Sequence, residues 1–226
     1  VCLTKSSPYG ALGPYELRDS KGRIHENIWQ FSKVYEKVPT TVQKAPYTGE
    51  VIWKRGEEIH LSYDERSPPT ITKAYRKWRR DGMYNPGAVR YPVGKENVSR
   101  CLYALKHSPH SGSVIPKEKK LGIVEGRKKI YWRQYRKLVV RQPLFVELQQ
   151  RLNEGENLLV IEVDGPQQQS LDYYVKKYGV PPTFIEDRST RINKGSLKIF
   201  LNDTRHSFGH GFCLAAALLE IDVEDL

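Results

Sequence analysis

The chain has 226 residues, 38% of them hydrophobic and 28% charged, with a formal net charge of +11 and a mean hydropathy of −0.61. That length suffices for one domain with a substantial core, and the longest apolar run, residues 212–219, falls far short of the roughly 18 residues of a membrane span. A basic balance of this size attracts polyanions, of which nucleic acid is the commonest inside a cell. The three cysteines, Cys2, Cys101 and Cys213, lack paired spacing and read as reduced thiols. The histidine pairs His107/His110 and His206/His210 have no carboxylate in helical register, so no metal is expected. With no charged-then-apolar leader at the start, the expected location is intracellular: the cytoplasm, or a host cell if the chain is viral.

In chain order, residues 9–23 read as a loop, a short extended run and a tight Lys21-Gly22 turn. A helix is expected over 25–35. Its positions Glu26, Gln30 and Lys33 share one face at i, i+4 and i+7, while Ile28, Phe31 and Tyr35 share another, so apolar anchors hold a polar row toward a cleft. The plain alternative is a surface helix with an i,i+4 polar pair. Residues 39–70 alternate Pro and Gly with short extended pieces at 50–53 and 59–63. A basic helix follows over 70–80, in which Lys73, Arg76, Lys77, Arg79 and Arg80 surround Tyr75 and Trp78. Residues 85–94 read as a loop, 98–106 as a short strand or helix, and 107–120 as a mobile loop.

A long basic helical run from 124 to 152 carries Arg127, Lys128, Tyr131, Trp132, Tyr135 and Lys137 and breaks near Pro143. Interleaved cations and aromatics suit phosphate neutralisation with base stacking, though the same pattern fits a solvated helix whose aromatics face the core. Residues 158–163 read as the clearest strand, buried on both faces, with Asp164 in the turn that ends it. Asp164 is thus the second acidic candidate after Glu26, or an Asx turn residue. A helix carrying Tyr173, Tyr174 and Tyr178 and a second strand over 196–201 come next. The turn at Arg205, His206, Gly209, His210 and Gly211 opens the last apolar helix, whose N-terminal N–H groups could hold a phosphate or carboxylate.

Glu26-x-x-x-Gln30-x-x-Lys33 after a loop, strand and turn, the basic-then-leucine-rich run through Leu148 and Leu152, and the turn 208–213 before a closing apolar helix together resemble the NADAR superfamily over about half of the chain. That superfamily includes N-glycosidases acting on riboflavin-pathway intermediates and hydrolases that remove ADP-ribose from guanine in DNA. Asn27 stands where the family usually has His, the Trp-Gly pair before the last helix is missing, and a long segment intervenes between 37 and 120. The resemblance implies an α+β, mainly helical single domain over residues 1–226 with a small sheet and a long basic insertion at about 37–120.

Cleaving an N-glycosidic bond needs stabilisation of an oxocarbenium-like sugar, a positioned water and protonation of the departing base. The implied assignment is Glu26 as the principal carboxylate and Asp164 as a second one. Substrate binding would fall to Trp29, Gln30, Lys33, Arg127, Lys128, Tyr131, Trp132, Arg205, Gly209, His210 and Gly211. No cofactor is required. The substrate would be a nucleotide, an ADP-ribosylated base or nucleic acid. Two alternatives stay open: a non-catalytic basic nucleic-acid-binding protein, and a nucleotide- or DNA-base-modifying enzyme of different reaction type.

Overall fold

The computed structural model describes residues 1–45, 48–90, 99–163, 165 and 167–226. The fold is α+β, with helices and small two-stranded antiparallel sheets. The chain divides into two compact units: Pro14–Tyr131, and a discontinuous one made of Val1–Gly13 with Trp132–Leu226. Among the described residues no helix is long and apolar enough to cross a membrane.

In the unit Pro14–Tyr131, helix α1 (His25–Gln30) is only six residues long. Phe31 leaves helical geometry, and Lys33 belongs to strand β1 (Lys33–Val34). The helix expected over 25–35 is therefore corrected to one and a half turns. Its tail instead pairs with β8 (Tyr103–Ala104), Lys33 opposite Ala104 and Val34 opposite Tyr103. Between them run β2 (Lys37–Val38) with β5 (Glu58–Ile59), the hairpin β3 (Thr41–Lys44) with β4 (Val51–Arg55), and the hairpin β6 (Leu61–Asp64) with β7 (Ser67–Ile71). Of the loop expected over 85–94, residues 91–94 lie outside the described residues.

Helix α2 (Lys73–Met83) begins where Thr72 Oγ1 accepts the Tyr75 N–H at 3.0 Å and donates to the Ile59 carbonyl at 2.6 Å. Its buried face centres on Tyr75 and Trp78, packed with Phe31, Tyr35, Trp53 and Leu61. Phe31 lies 4.6 Å from Trp78 and 4.9 Å from Trp53, centroid to centroid. A Cβ at Gly82 would stand 2.1 Å from the Phe31 ring, so that ring occupies the space only a glycine leaves. The interleaved aromatics of this basic helix are thus core, and the interleaving is ordinary helical amphipathicity. Helix α3 (Ile123–Gly126) leads into a π-helical stretch, Arg127–Trp132.

The second unit contains α4 (Arg133–Val139), α5 (Pro143–Asn153), α6 (Leu171–Tyr178), α7 (Lys194–Asn202) and α8 (His210–Leu218). Pro143 opens α5 at a position where its missing N–H costs nothing, as the break near Pro143 suggests. Gly179, at φ +66°, closes α6. Helix α8 is buried from Gly211 to Leu218, with α4 and α5 packed against it. The N-terminal segment joins this core through Leu3 and Leu12, and the Tyr135 hydroxyl donates to the Leu12 carbonyl at 2.9 Å.

Two strand expectations fail in this unit. Residues 158–163 form no strand: Ile161 makes one isolated parallel bridge to Cys2, and Leu159, Ile161 and Val163 are 67%, 53% and 72% exposed. An apolar run identifies a buried strand only when sheet covers both faces, and here none does. Residues 196–201 lie in α7. The Asn193 side chain accepts the Ser196 N–H at 3.0 Å while the Ser196 hydroxyl accepts the Asn193 N–H at 2.9 Å, a reciprocal cap that commits the segment to helix. Leu197, Phe200 and Leu201 then share one buried face at i, i+3 and i+4.

Candidate active site

Glu26, Gln30 and Lys33 come together although the helix ends between them. The Glu26 N–H donates to the Pro14 carbonyl at 3.0 Å and the His25 N–H to Leu17 at 2.9 Å, which anchors the start of α1. Asn27, fully buried, donates to the carbonyls of Asn85 and Gly87 at 3.1 and 3.0 Å and accepts the Val89 N–H at 2.7 Å. It pins the loop 85–89 against α1, a structural task for this amide.

Across the row, Gln30 Nε2 donates to Glu26 Oε1 at 2.6 Å and Lys33 Nζ donates to Gln30 Oε1 at 2.7 Å. The amide can point only one way here, its NH2 toward the carboxylate and its oxygen toward the ammonium. All three side chains are buried, at 7%, 5% and 7% exposure. Burial pushes the Lys33 ammonium below its ordinary pKa, against the opposing pull of Cys101 and Glu26. Its Nζ also sits 4.8 Å from the centre of the half-buried Trp29 ring. Trp29 lies 5.4 Å from Tyr131, and Tyr131 lies 4.8 Å from His25. A Cβ on Gly126 would meet the Trp29 ring at 3.3 Å, so that glycine admits the indole.

The other candidates are placed as follows. Arg127 is buried and Lys128 half-buried in the π-helical stretch. Trp132 is 1% exposed and donates its Nε1–H to Asp222 at 3.0 Å, so its ring is packed within the unit that contains α8. Asp164 lies outside the described residues. At the start of α8, the Gly211 N–H donates to Glu162 Oε2 at 2.7 Å, and a Cβ on Gly209 would stand 2.2 Å from the same oxygen. The glycines of this turn thus admit the chain's own carboxylate, which occupies the anion-binding end of the helix. Arg205 is exposed, its guanidinium 4.7 Å from the Tyr173 ring centre. Glu26, Trp29, Gln30, Lys33, Arg127, Lys128 and Tyr131 belong to the unit Pro14–Tyr131, and Trp132, Arg205, Gly209, His210 and Gly211 to the other.

On α2 the cations separate by role. Arg79, 4% exposed, donates to the Leu105 carbonyl at 2.9 Å and to the Tyr75 hydroxyl at 3.0 Å. Lys73, Arg76, Lys77 and Arg80, at i, i+3, i+4 and i+7, are exposed along one groove of about 540 Å3, which Arg23 and Tyr84 also line. Asp81 accepts from Lys77 at 2.8 Å and Arg80 at 3.3 Å.

Sequence reasoning missed His25 and Asn27 as neighbours of the polar row, and Asp203 in the second unit. Asn27 could have been found from the Asn85-Pro-Gly turn, which needs a partner for its carbonyls; nothing local marks Asp203. The chain matches no protein-family model, no curated protein and no solved structure.

Proposed function

We propose that the Glu26–Gln30–Lys33 row is the centre of a NADAR-like hydrolase of N-glycosidic bonds, acting on a nucleotide, an ADP-ribosylated base or nucleic acid. What carries the reading is the buried, hydrogen-bonded sequence of carboxylate, amide and ammonium beside the half-buried Trp29. A carboxylate held in a water-poor setting stabilises an oxocarbenium-like sugar more strongly than one in bulk water. Gln30 fixes the orientation of that carboxylate, Lys33 supplies a proton donor or a ligand for ribose or phosphate oxygens, and the Trp29 face suits a purine or pyrimidine ring. The row itself requires no cofactor for these steps.

A second reading, a non-catalytic nucleic-acid-binding protein, draws on the exposed stripe Lys73, Arg76, Lys77 and Arg80. One experiment separates the two. Wild type and Glu26→Gln are incubated with ADP-ribosylated DNA, NAD and ribosylated pyrimidines, and released base or ribose is followed by mass spectrometry. The hydrolase reading expects release by wild type and a loss of about 100-fold or more in the variant, with DNA affinity unchanged. No release by wild type, together with salt-dependent DNA binding that survives Glu26→Gln, transfers the assignment to the binding protein.

A further inference from the structure

The unit Val1–Gly13 with Trp132–Leu226 holds a second constellation, independent of the Glu26 row. Asp203, at the C-terminal cap of α7, is fully buried and accepts hydrogen bonds on both carboxylate oxygens. The Tyr173 hydroxyl and the Arg205 N–H reach Oδ1 at 2.8 and 3.0 Å. The Tyr174 hydroxyl and His206 Nδ1 reach Oδ2 at 2.5 and 2.6 Å. Burial alone would raise the Asp203 pKa, but the bonds from Tyr174 and His206, with those from Arg205 and Tyr173, outweigh it and hold the carboxyl below its ordinary value. Asp203 is therefore a carboxylate at neutral pH.

That carboxylate sets the imidazole tautomer. The Tyr174 hydroxyl also lies 3.0 Å from His206 Nδ1, but it donates its single proton to Asp203 Oδ2, so Nδ1–H is the donor to that carboxylate. In this tautomer His206 Nε2 carries the lone pair that faces Ser170 Oγ at 3.3 Å. The Tyr174 ring lies roughly parallel to the imidazole, with centroids 5.7 Å apart, and fixes its plane. Ser170 ends the 3-10 turn Gln168–Ser170 and immediately precedes α6, whose Tyr173 and Tyr174 both bind Asp203, so one helix ties the hydroxyl to the acid. Access falls from one end to the other: Ser170 is half-exposed, the His206 side chain 22% exposed, and the Asp203 side chain 1% exposed. A nucleophile open to solvent, a base oriented by an acid, and the acid itself buried is the arrangement that activates a serine hydroxyl.

We propose that Ser170, His206 and Asp203 form a nucleophilic relay that hydrolyses carboxylic esters or thioesters presented at the surface. Ser170 Oγ bonds to the carbonyl carbon while its proton passes to His206 Nε2. His206 returns that proton to the departing alkoxide or thiolate as the carbon–oxygen or carbon–sulfur bond breaks, which leaves an acyl-Ser170. Water then adds to the acyl carbon, gives a proton to Nε2, and the acid departs as Ser170 Oγ recovers that proton. Ser170 and His206 touch the reacting atoms; Asp203 is a positioning residue acting through His206.

The test uses the intact protein, a fluorophosphonate probe that bonds only to activated serines, and p-nitrophenyl acetate. The relay expects a covalent adduct mapped to Ser170, absent after heat denaturation and in Ser170→Ala, and a labelling rate about 100-fold lower in His206→Gln with matched loss of ester hydrolysis. Labelling and ester hydrolysis are read with no N-glycosidic substrate present, which keeps this result separate from the glycosidase reading. The proposal is overturned if wild type forms no Ser170 adduct while a reference serine hydrolase in the same tube is labelled. Equal labelling of native and denatured protein, or undiminished labelling in His206→Gln, overturns it as well.

Discussion

His60 shows how far a single buried side chain can set the pH response of this protein. Its ring is fully buried, 4.5 Å from Trp78 and 4.9 Å from Tyr75, and its Nδ1 accepts the Tyr35 N–H at 3.2 Å. Burial pushes its pKa down from 6.5 to about 3. Between those values the unfolded chain binds a proton that the folded one refuses, so stability is complete above the unfolded value and falls as pH drops, by about 1.4 kcal/mol per unit. Urea unfolding at pH 7 and pH 5 should therefore differ by roughly 2 kcal/mol from this group, and His60→Gln should remove that part of the slope. An unchanged slope in the variant would assign the acid sensitivity elsewhere. Arg79 is the second such residue. It reads from sequence as one more nucleic-acid contact, yet it is buried and holds backbone carbonyls. Arg79→Met should cost about 3 kcal/mol in chemical denaturation, because it leaves the Leu105 carbonyl without its donor. A loss below about 0.5 kcal/mol would return Arg79 to the surface class.

At the scale of elements, most helices and the short strands at 50–53 and 59–63 were legible, whereas the apolar runs at 158–163 and 196–201 were not strands. Helix α2 follows from its amphipathic spacing, and α8 from an unbroken apolar run after a glycine turn. Helix α7 was misread because Ser196–Leu201 is rich in apolar and branched residues; the deciding signal was the reciprocal Asn193/Ser196 cap, two residues that carry no periodicity. Helix α1 was read too long for the opposite reason: its i, i+4, i+7 pattern continues past Gln30, but Lys33 and Val34 pair with the strand at 103–104, a pairing that sequence does not reveal. Gly82 tests how α2 docks. Gly82→Ala should raise helix propensity locally and still destabilise the protein by about 1–3 kcal/mol, since the new methyl overlaps the Phe31 ring. A stabilised Gly82→Ala variant in thermal unfolding would contradict the packing of Phe31 against this helix.

On the scale of the whole molecule, the chain makes one unit from a continuous stretch and the other from its two ends. Residues 1–13 are thus part of a core with residues 132–226. Leu12 is fully buried and its carbonyl receives Tyr135. Leu12→Ala should destabilise by about 2–5 kcal/mol, and hydrogen exchange should show lost protection within 132–226; unchanged protection there would refute the shared core. Composition, charge and periodicity were enough to establish a basic chain, the helical character of most of its helices, and the proximity of Glu26, Gln30 and Lys33, because each depends on residues a few positions apart, while the α+β class came from the family resemblance. The buried state of that row, the core role of Tyr75, Trp78 and Trp132, and the meeting of Ser170 with Asp203 and His206 depend on contacts across 30 or more positions or on what covers a helix face. Those belong to tertiary packing, because spacing along a chain specifies which side chains share a face but not what that face meets.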